Sequence, residues 1–279
     1  MVALGDVRRS MSRLKKGAWR QFRQRLHNGN GSSRPAFLIG CGRSGTSMLV
    51  LQLGRSWQLD IYNENNTAAF ENWFLRDFSV IRQLVADSRA PVVLFKPILD
   101  TYKACLLLEQ FPSAKILFAF RHYNDVINSS LKKFGPADRI NHVNNWANDD
   151  FSEFADLLPP LETQAYIRAC WRPGMSPEEG AALYWLFQNR LYFDLGLVNS
   201  DSARLVCYEA VVSNPVEELT ALCEFLGVSF EEQMAEGIFG SSIQRNAAPP
   251  IAHHLQEACD EMWQRLCRSA GVAEELVIG

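Results

Sequence analysis

No stretch of this sequence stays apolar for 18 residues, so no segment has the length to cross a bilayer as a helix. A secretory leader, with a charged start, a short apolar core and a small-residue cleavage site, is not evident either. The cysteines form no framework: there are seven, an odd number, with no CxxC pair and no metal-like spacing to the five histidines. That pattern excludes a disulfide-stapled scaffold and reads as reduced thiols in a cytosolic protein. Hairpin turn signals are lacking, and the only linker-like stretch is NGNGSS at residues 28–33. What is present is 279 residues with 47% hydrophobic content, enough for one large core. The division expected is an arm over residues 1–34 and one domain over residues 35–279.

Acids are nearly absent from the arm. Residues 1–34 carry nine Lys or Arg and one acid, Asp6, a balance of +8, whereas the remainder has 19 basic and 30 acidic residues, a balance of −11. Leu4, Val7, Met11, Leu14, Ala18, Phe22 and Leu26 recur at three- and four-residue steps, the pattern of an amphipathic helix. Three readings stay open: a helix packed on its own domain with its charges solvated, peripheral contact of residues 1–30 with an anionic membrane, and an organellar presequence. Nucleic acid is disfavoured as a partner, because the acidic body would repel phosphates.

The chain is organised around residues 36–55, AFLIGCGRSGTSMLVLQLGR. Phe37, Leu38 and Ile39 read as a buried strand, Gly40, Gly42 and Gly45 as a tight loop, and Ser44, Thr46 and Ser47 as the start of a helix bearing Met48, Leu49, Leu51 and Leu53. Such a loop aims backbone N–H groups and a helix dipole at one spot, which favours an anion rich in oxygens. Gly40, Gly45 and Ser47 have the spacing of the nucleotide-triphosphate loop GxxxxGK[ST], but its lysine is missing. Thr46 stands in the lysine position, and Arg43 is the loop's only cation. An acid to help hold Mg²⁺ is also missing: the best following strand, KILFAF at residues 115–120, ends in Arg121. A site that binds phosphate oxygens with protein cations and no metal argues against phosphoryl transfer. A metal-independent nucleotide binder or atypical kinase remains the alternative class.

Further along, Leu59 to Tyr62 reads as a second strand. NENNT then reads as a loop in which Thr67 caps a helix carrying Phe70, Trp73, Phe74, Phe78 and Ile81. VVLFK after Pro91 is a buried strand, a helix follows over 101–110, and then comes the strand ending in Arg121. This alternation predicts a parallel sheet covered on both faces, with ligand outside the carboxyl ends of its strands. Residues 135–198 form a mostly helical excursion, in which Trp146, Trp171, Trp185 and Phe187 either line an acceptor pocket or belong to the core. Leu205 to Tyr208 returns to strand, and Ile251 to Arg268 reads as a final helix.

GCGRSGTSML resembles the 5′-phosphosulfate loop of sulfotransferases that use 3′-phosphoadenosine 5′-phosphosulfate (PAPS). KILFAFRHYNDVINSSLKKF resembles their 3′-phosphate motif, with Arg121 and Ser129 in the matching places, and LVCYEAVVSNPVEELTALCEFLGV resembles their late strand and helix. The matched order spans residues 36–228. The resemblance implies an α/β fold, a P-loop-like three-layer sandwich with a central parallel sheet, whose helical excursion forms the acceptor side. It also implies transfer of a sulfuryl group from PAPS, without a metal, to a hydroxyl of a carbohydrate, lipid or small metabolite, in a bacterial-type branch of the family.

Three jobs follow from that chemistry. Arg43, the loop amides and the side chains of Thr46 and Ser47 suit the leaving phosphate oxygen, with Ser44 and Gly45 completing the loop. Arg121 and Ser129, eight residues apart and so two helical turns, suit the 3′-phosphate. Tyr208 matches a family position near the adenosine. The base is the third job: the cytosolic branch's histidine is absent after Lys96-Pro97-Ile98, while other branches use a glutamate soon after the loop helix. Glu64 is the first candidate and Glu71 the second, with His142, His253 and His254 in reserve. Met48 stands where an adenine-stacking tryptophan would be, and Arg245 is the only replacement for a missing C-terminal RKG triplet.

Overall fold

The computed structural model describes residues 17–273, except 30, 155, 156, 241, 242 and 244. Leu4, Val7, Met11 and Leu14 of the arm's stripe lie outside the described residues. Its centre is a five-stranded, all-parallel sheet in the order β2-β5-β1-β6-β7. The strands are β1 (Arg34–Gly40), β2 (Leu59–Tyr62), β5 (Val92–Phe95), β6 (Lys115–Phe120) and β7 (Ala203–Cys207). Because helices cover both faces, these strands are near-continuous apolar runs, and alternation decides only which layer each side chain joins. Phe37 and Ile39 of β1, with Ile116, Phe118 and Phe120 of β6, enter the larger core. Ala36, Leu38, Leu117 and Ala119 enter the smaller one.

The smaller core is closed by α2 (Thr46–Leu53), α9 (Tyr208–Ser213) and α10 (Pro215–Leu226), through Leu49, Leu53, Val211, Leu222 and Leu226. The larger one is closed by α3 (Phe78–Asp87), α4 (Ala104–Gln110), α5 (Tyr123–Phe134), α8 (Pro177–Asp194) and α11 (His253–Ala270), together with α6 (Pro136–Ala147) and α7 (Leu161–Cys170) of the excursion. The result is the three-layer α/β arrangement expected. Within the excursion, Trp146 stacks on Phe187 with centroids 4.1 Å apart, and Trp146, Trp185 and Phe187 are all fully buried. These aromatics are core and do not line a pocket.

One element differs from the sequence expectation. Residues 70–75 are a two-stranded antiparallel hairpin, β3 (Phe70–Glu71) and β4 (Phe74–Leu75), and the helix starts only at Phe78. The turn is made by Asn72 and Trp73, both left-handed at φ 50° and 72°. Backbone bonds hold it: the Arg76 amide donates to the Ala69 carbonyl at 2.9 Å, and the Leu75 amide donates to the buried Asp100 carboxylate at 2.8 Å. The local closing bond and the tertiary Asp100 acceptor together override the helical spacing of the aromatics. Ahead of the sheet, α1 covers residues 17–27 and is tied to the body by Arg20 and Gln24. Arg20 donates to the Leu59 and Gly54 carbonyls, and Gln24 donates to the Trp57 carbonyl at 2.9 Å.

Candidate active site

β1 and β6 are hydrogen-bonded neighbours, with Gly40 opposite Ala119, so the loop after β1 and the turn after β6 emerge side by side at the carboxyl edge of the sheet. The loop delivers α2, whose N-cap is Gly45 at φ 77° with no side-chain cap. Without one, the first-turn amides of α2 keep no intrahelical acceptor and remain directed at the loop. A Cβ on Gly45 would lie 2.2 Å from the Tyr208 ring. The glycine thus serves both the left-handed backbone and the close seat of Tyr208, at the start of α9.

Tyr208 also carries the Arg121 guanidinium, 4.4 Å from the ring centroid. Arg121 is buried and ion-paired at 2.7 Å with Asp125, one turn into α5, and its carbonyl accepts the Trp185 indole N–H at 2.9 Å. The next residue, His122, caps α5 by accepting from the Asn124 amide. Its own amide donates to the buried Glu209 carboxylate at 3.0 Å, and burial pushes the Glu209 carboxyl above the usual range. The Tyr-Glu pair after β7 therefore divides its work: Tyr208 packs the loop, and Glu209 fixes the turn that presents Arg121. Two turns along α5, Ser129 accepts a hydrogen bond from Arg43 Nε at 2.9 Å. Loop and α5 already touch through the two side chains that sequence matched to phosphate binding.

Arg43 sits in the left-handed region, at φ 72°, and partial burial together with Arg121 and Arg139 lowers its pKa. Arg139, from α6, carried no signal in the sequence. It is buried, with its guanidinium 4.0 Å over Tyr184 and 4.5 Å over Phe134. Nη1 lies 3.5 Å from Asp138, and Nε is buried without a hydrogen-bond partner. Three arginines so gathered make a site that favours a polyanion.

Lys96 was seen in the sequence only as the neighbour of an absent histidine. It ends β5 just as Arg121 ends β6, and a cation closing a buried parallel strand was the signal available. Its Nζ lies 2.6 Å from the Glu64 carboxylate and 3.3 Å from Ser47 Oγ. Glu64 thus sits beside the loop, through the Lys96 that also reaches Ser47. Glu71 does not: it is exposed on the hairpin, 3.8 Å from Arg76. His142 pairs with Glu153 at 2.8 Å, and His253 with Glu257 at 3.3 Å on α11. Ser44 and Thr46 are buried, whereas Ser47 is exposed.

A cleft of about 450 Å³ joins the loop to Glu64, Lys96 and Arg139, a volume in the range of small-ligand sites. Gly42, Arg43, Thr46, Ser47, Glu64, Lys96, Lys133 and Arg139 line its polar part, and Trp73, Ile98, Leu99, Phe134 and Tyr184 its apolar part. Trp73 is 60% exposed at φ 72°. A left-handed conformation is a costly one for so bulky a residue, and such outliers gather at functional sites.

A three-layer α/β fold with a phosphate-type loop and no acid on the neighbouring strand end defines a group-transfer site built from protein cations. The sequence model of the sulfotransferase family matches residues 64–232, more than half of the chain, and the chain belongs to that family of enzymes. Among solved structures, the sulfotransferase domain of the Synechococcus PCC 7002 olefin synthase is 17% identical, with 85% of this chain and 95% of that one covered at a TM-score of 0.50. The sulfotransferase domain from the curacin biosynthetic pathway is 14% identical, with coverage of 82% and 97% and a TM-score of 0.50. At these identities the likeness is one of fold. No curated protein matches the chain in sequence.

Proposed function

We propose that this sulfotransferase takes its sulfuryl group from PAPS and passes it to the hydroxyl of an acceptor with a largely apolar body, such as a lipid or hydrophobic metabolite, releasing adenosine 3′,5′-bisphosphate. The observation that carries the reading is the convergence of Arg43, Arg121 and Arg139 on the open first turn of α2, with Lys96 bridging Ser47 and Glu64. The α2 amides, Thr46, Ser47 and Arg43 hold the 5′-phosphosulfate. Arg121 and Ser129 hold the 3′-phosphate, and Tyr208 borders the adenosine. The apolar part of the cleft, above all the exposed Trp73, Leu99 and Phe134, supports an acceptor whose hydroxyl is its main polar feature.

In the transfer, the acceptor oxygen bonds to sulfur while the bridging sulfur–oxygen bond breaks, its electron pair passing to the phosphate oxygen. Arg43 and the loop amides stabilise that growing charge, and Glu64 takes the hydroxyl proton. Lys96 can exchange its contact with Glu64 for a sulfuryl oxygen, so one cation orients the base and then meets the transferring group.

The test is thermal denaturation with adenosine 3′,5′-bisphosphate alone, adenosine 5′-monophosphate alone, and ATP with Mg²⁺, followed by labelled-PAPS transfer to a panel of alcohols. Stabilisation by the bisphosphate without metal is expected, since a ligand of the folded state raises the melting temperature. Apolar alcohols should be sulfated ahead of free sugars. Preference for ATP with Mg²⁺ would overturn the donor assignment, and preference for free sugars the acceptor class.

A further inference from the structure

A surface helix ordinarily packs its apolar stripe inward and solvates its polar face. Helix α1 does the reverse. Its inward face is Arg20 and Gln24, hydrogen-bonded to the body around Gly54, Trp57 and Leu59. Outward it shows Trp19, Phe22 and Leu26, which are 53%, 63% and 67% exposed. These are residues of the arm's amphipathic stripe and its flank; Trp19 borders a recess with Gly54, Arg55 and Trp57, while Phe22 and Leu26 are the more exposed. Arg23 lies between the Trp19 and Trp57 rings, 4.7 and 5.0 Å from their centroids, a guanidinium set beside aromatic rings at the edge of the stripe.

We propose that this outward face seats on an anionic lipid bilayer. Charge selects the occupant. The arm has a balance of +8 over residues 1–34 and the body −11, so an anionic surface attracts the arm and repels the rest, which orients the molecule with α1 toward the membrane. A second copy meeting the same face would set two strongly basic arms against each other. Apolar area on Trp19, Phe22 and Leu26 beside the basic charge of the arm is the combination that holds interfacial helices at a membrane. The seat is separate from the cleft: α1 holds the carboxyl end of α2 at Gly54, and the phosphate-type loop lies at the other end, about 12 Å away along an eight-residue helix. The proposal is independent of which donor or acceptor the cleft takes.

The test is cosedimentation of the full chain with phosphatidylcholine vesicles and with vesicles of equal parts phosphatidylcholine and phosphatidylserine. Binding is expected only to the anionic vesicles, with release as salt is raised to about 1 M, where screening shrinks electrostatic reach to about 3 Å. Phe22→Glu/Leu26→Glu should lower the partition coefficient at least about tenfold. Leu161→Glu/Val216→Glu, which adds equal charge at other exposed apolar residues, should leave it within about twofold. Circular dichroism and a cooperative urea-unfolding transition report that each variant is folded. Equal binding to neutral vesicles, no binding at all, or equal loss in both double variants overturns the proposal. So does a concentration-dependent dimer dissolved by Phe22→Glu/Leu26→Glu without vesicle binding, which would assign the face to a second copy.

Discussion

Replacing Gly45 by alanine tests how the loop and the late helix depend on each other. Two costs arise. At φ 77° a side chain brings the left-handed penalty of about 1–2 kcal/mol, and the new Cβ, 2.2 Å from the Tyr208 Cδ2 position, forces an overpacking cost of about 1–3 kcal/mol. Together Gly45→Ala should lose roughly 2–5 kcal/mol of unfolding free energy. Tyr208→Ala alone should lose about 3–5 kcal/mol, as for other buried aromatics. The combination is informative because removing the ring abolishes the clash and leaves the backbone penalty. The double variant should therefore be more stable than the sum of the single effects by about 1–3 kcal/mol. Urea unfolding of the four proteins measures this coupling, and bisphosphate binding should fall in every variant, since Arg121 rests on the displaced ring. Additivity within about 0.5 kcal/mol would refute the argument that Gly45 is held small by Tyr208.

Glu64→Gln should retain the fold and bisphosphate affinity while turnover falls about 10² to 10⁴-fold; unchanged turnover, with a collapse in Glu71→Gln, would transfer the proton-accepting role to the hairpin. Arg121→Ala and Ser129→Ala should each reduce the preference for the 3′-phosphorylated over the 3′-dephospho nucleotide in calorimetric titrations, the arginine more, because charge-assisted bonds are about twice as strong as neutral ones. A wild-type ratio in either variant removes that residue from the 3′-phosphate. Burial raises the Glu209 carboxyl pKa above 4.5, so its stabilising contribution is complete below that value and is lost as pH climbs through the raised one. Glu209→Gln, which cannot ionise, should gain stability relative to wild type over that rise in pH, and a pH-independent difference between their unfolding curves would contradict this.

The sheet and the loop were legible because each has a local signature. KILFAF and VVLFK are apolar runs that only a doubly covered strand accommodates, and GCGRSG is small enough to turn at the end of one. Arg121 and Ser129 were marked by the resemblance to the 3′-phosphate motif, and the fold sets Arg121 against Asp125 and Ser129 against Arg43. The hairpin at Phe70–Leu75 was not legible, because its aromatics fall at helical steps while one acceptor that sets it, Asp100, is tertiary. Arg139 was invisible for a related reason: within α6 it is one arginine among polar neighbours, and only the packing of the excursion brings it over Gly42. Of the arm's stripe only Ala18, Phe22 and Leu26 fall in the described α1, and which face of that helix meets the body depends on Gln24 and Arg20 finding free carbonyls around β2.

The burial of the sheet on both faces leaves it without a polar side to distinguish one strand register from the next. KILFAF slipped by one residue along β1 would still place apolar side chains in both layers, while shifting Arg121 by about 3.3 Å. What forbids the slip lies at the strand ends. Gly40, at φ 117°, takes the Ala119 backbone so closely that any Cβ would sit 2.3 Å from the Ala119 oxygen. The Thr101 hydroxyl accepts the Gly40 amide at 3.0 Å, and Glu209 anchors the residue after Arg121. The alignment of the two phosphate-facing segments is thus a mechanical tolerance held by a glycine, a threonine and a buried acid, none of which needs to meet a ligand. Substitutions at these three positions would appear as misplaced arginines in an otherwise intact sheet.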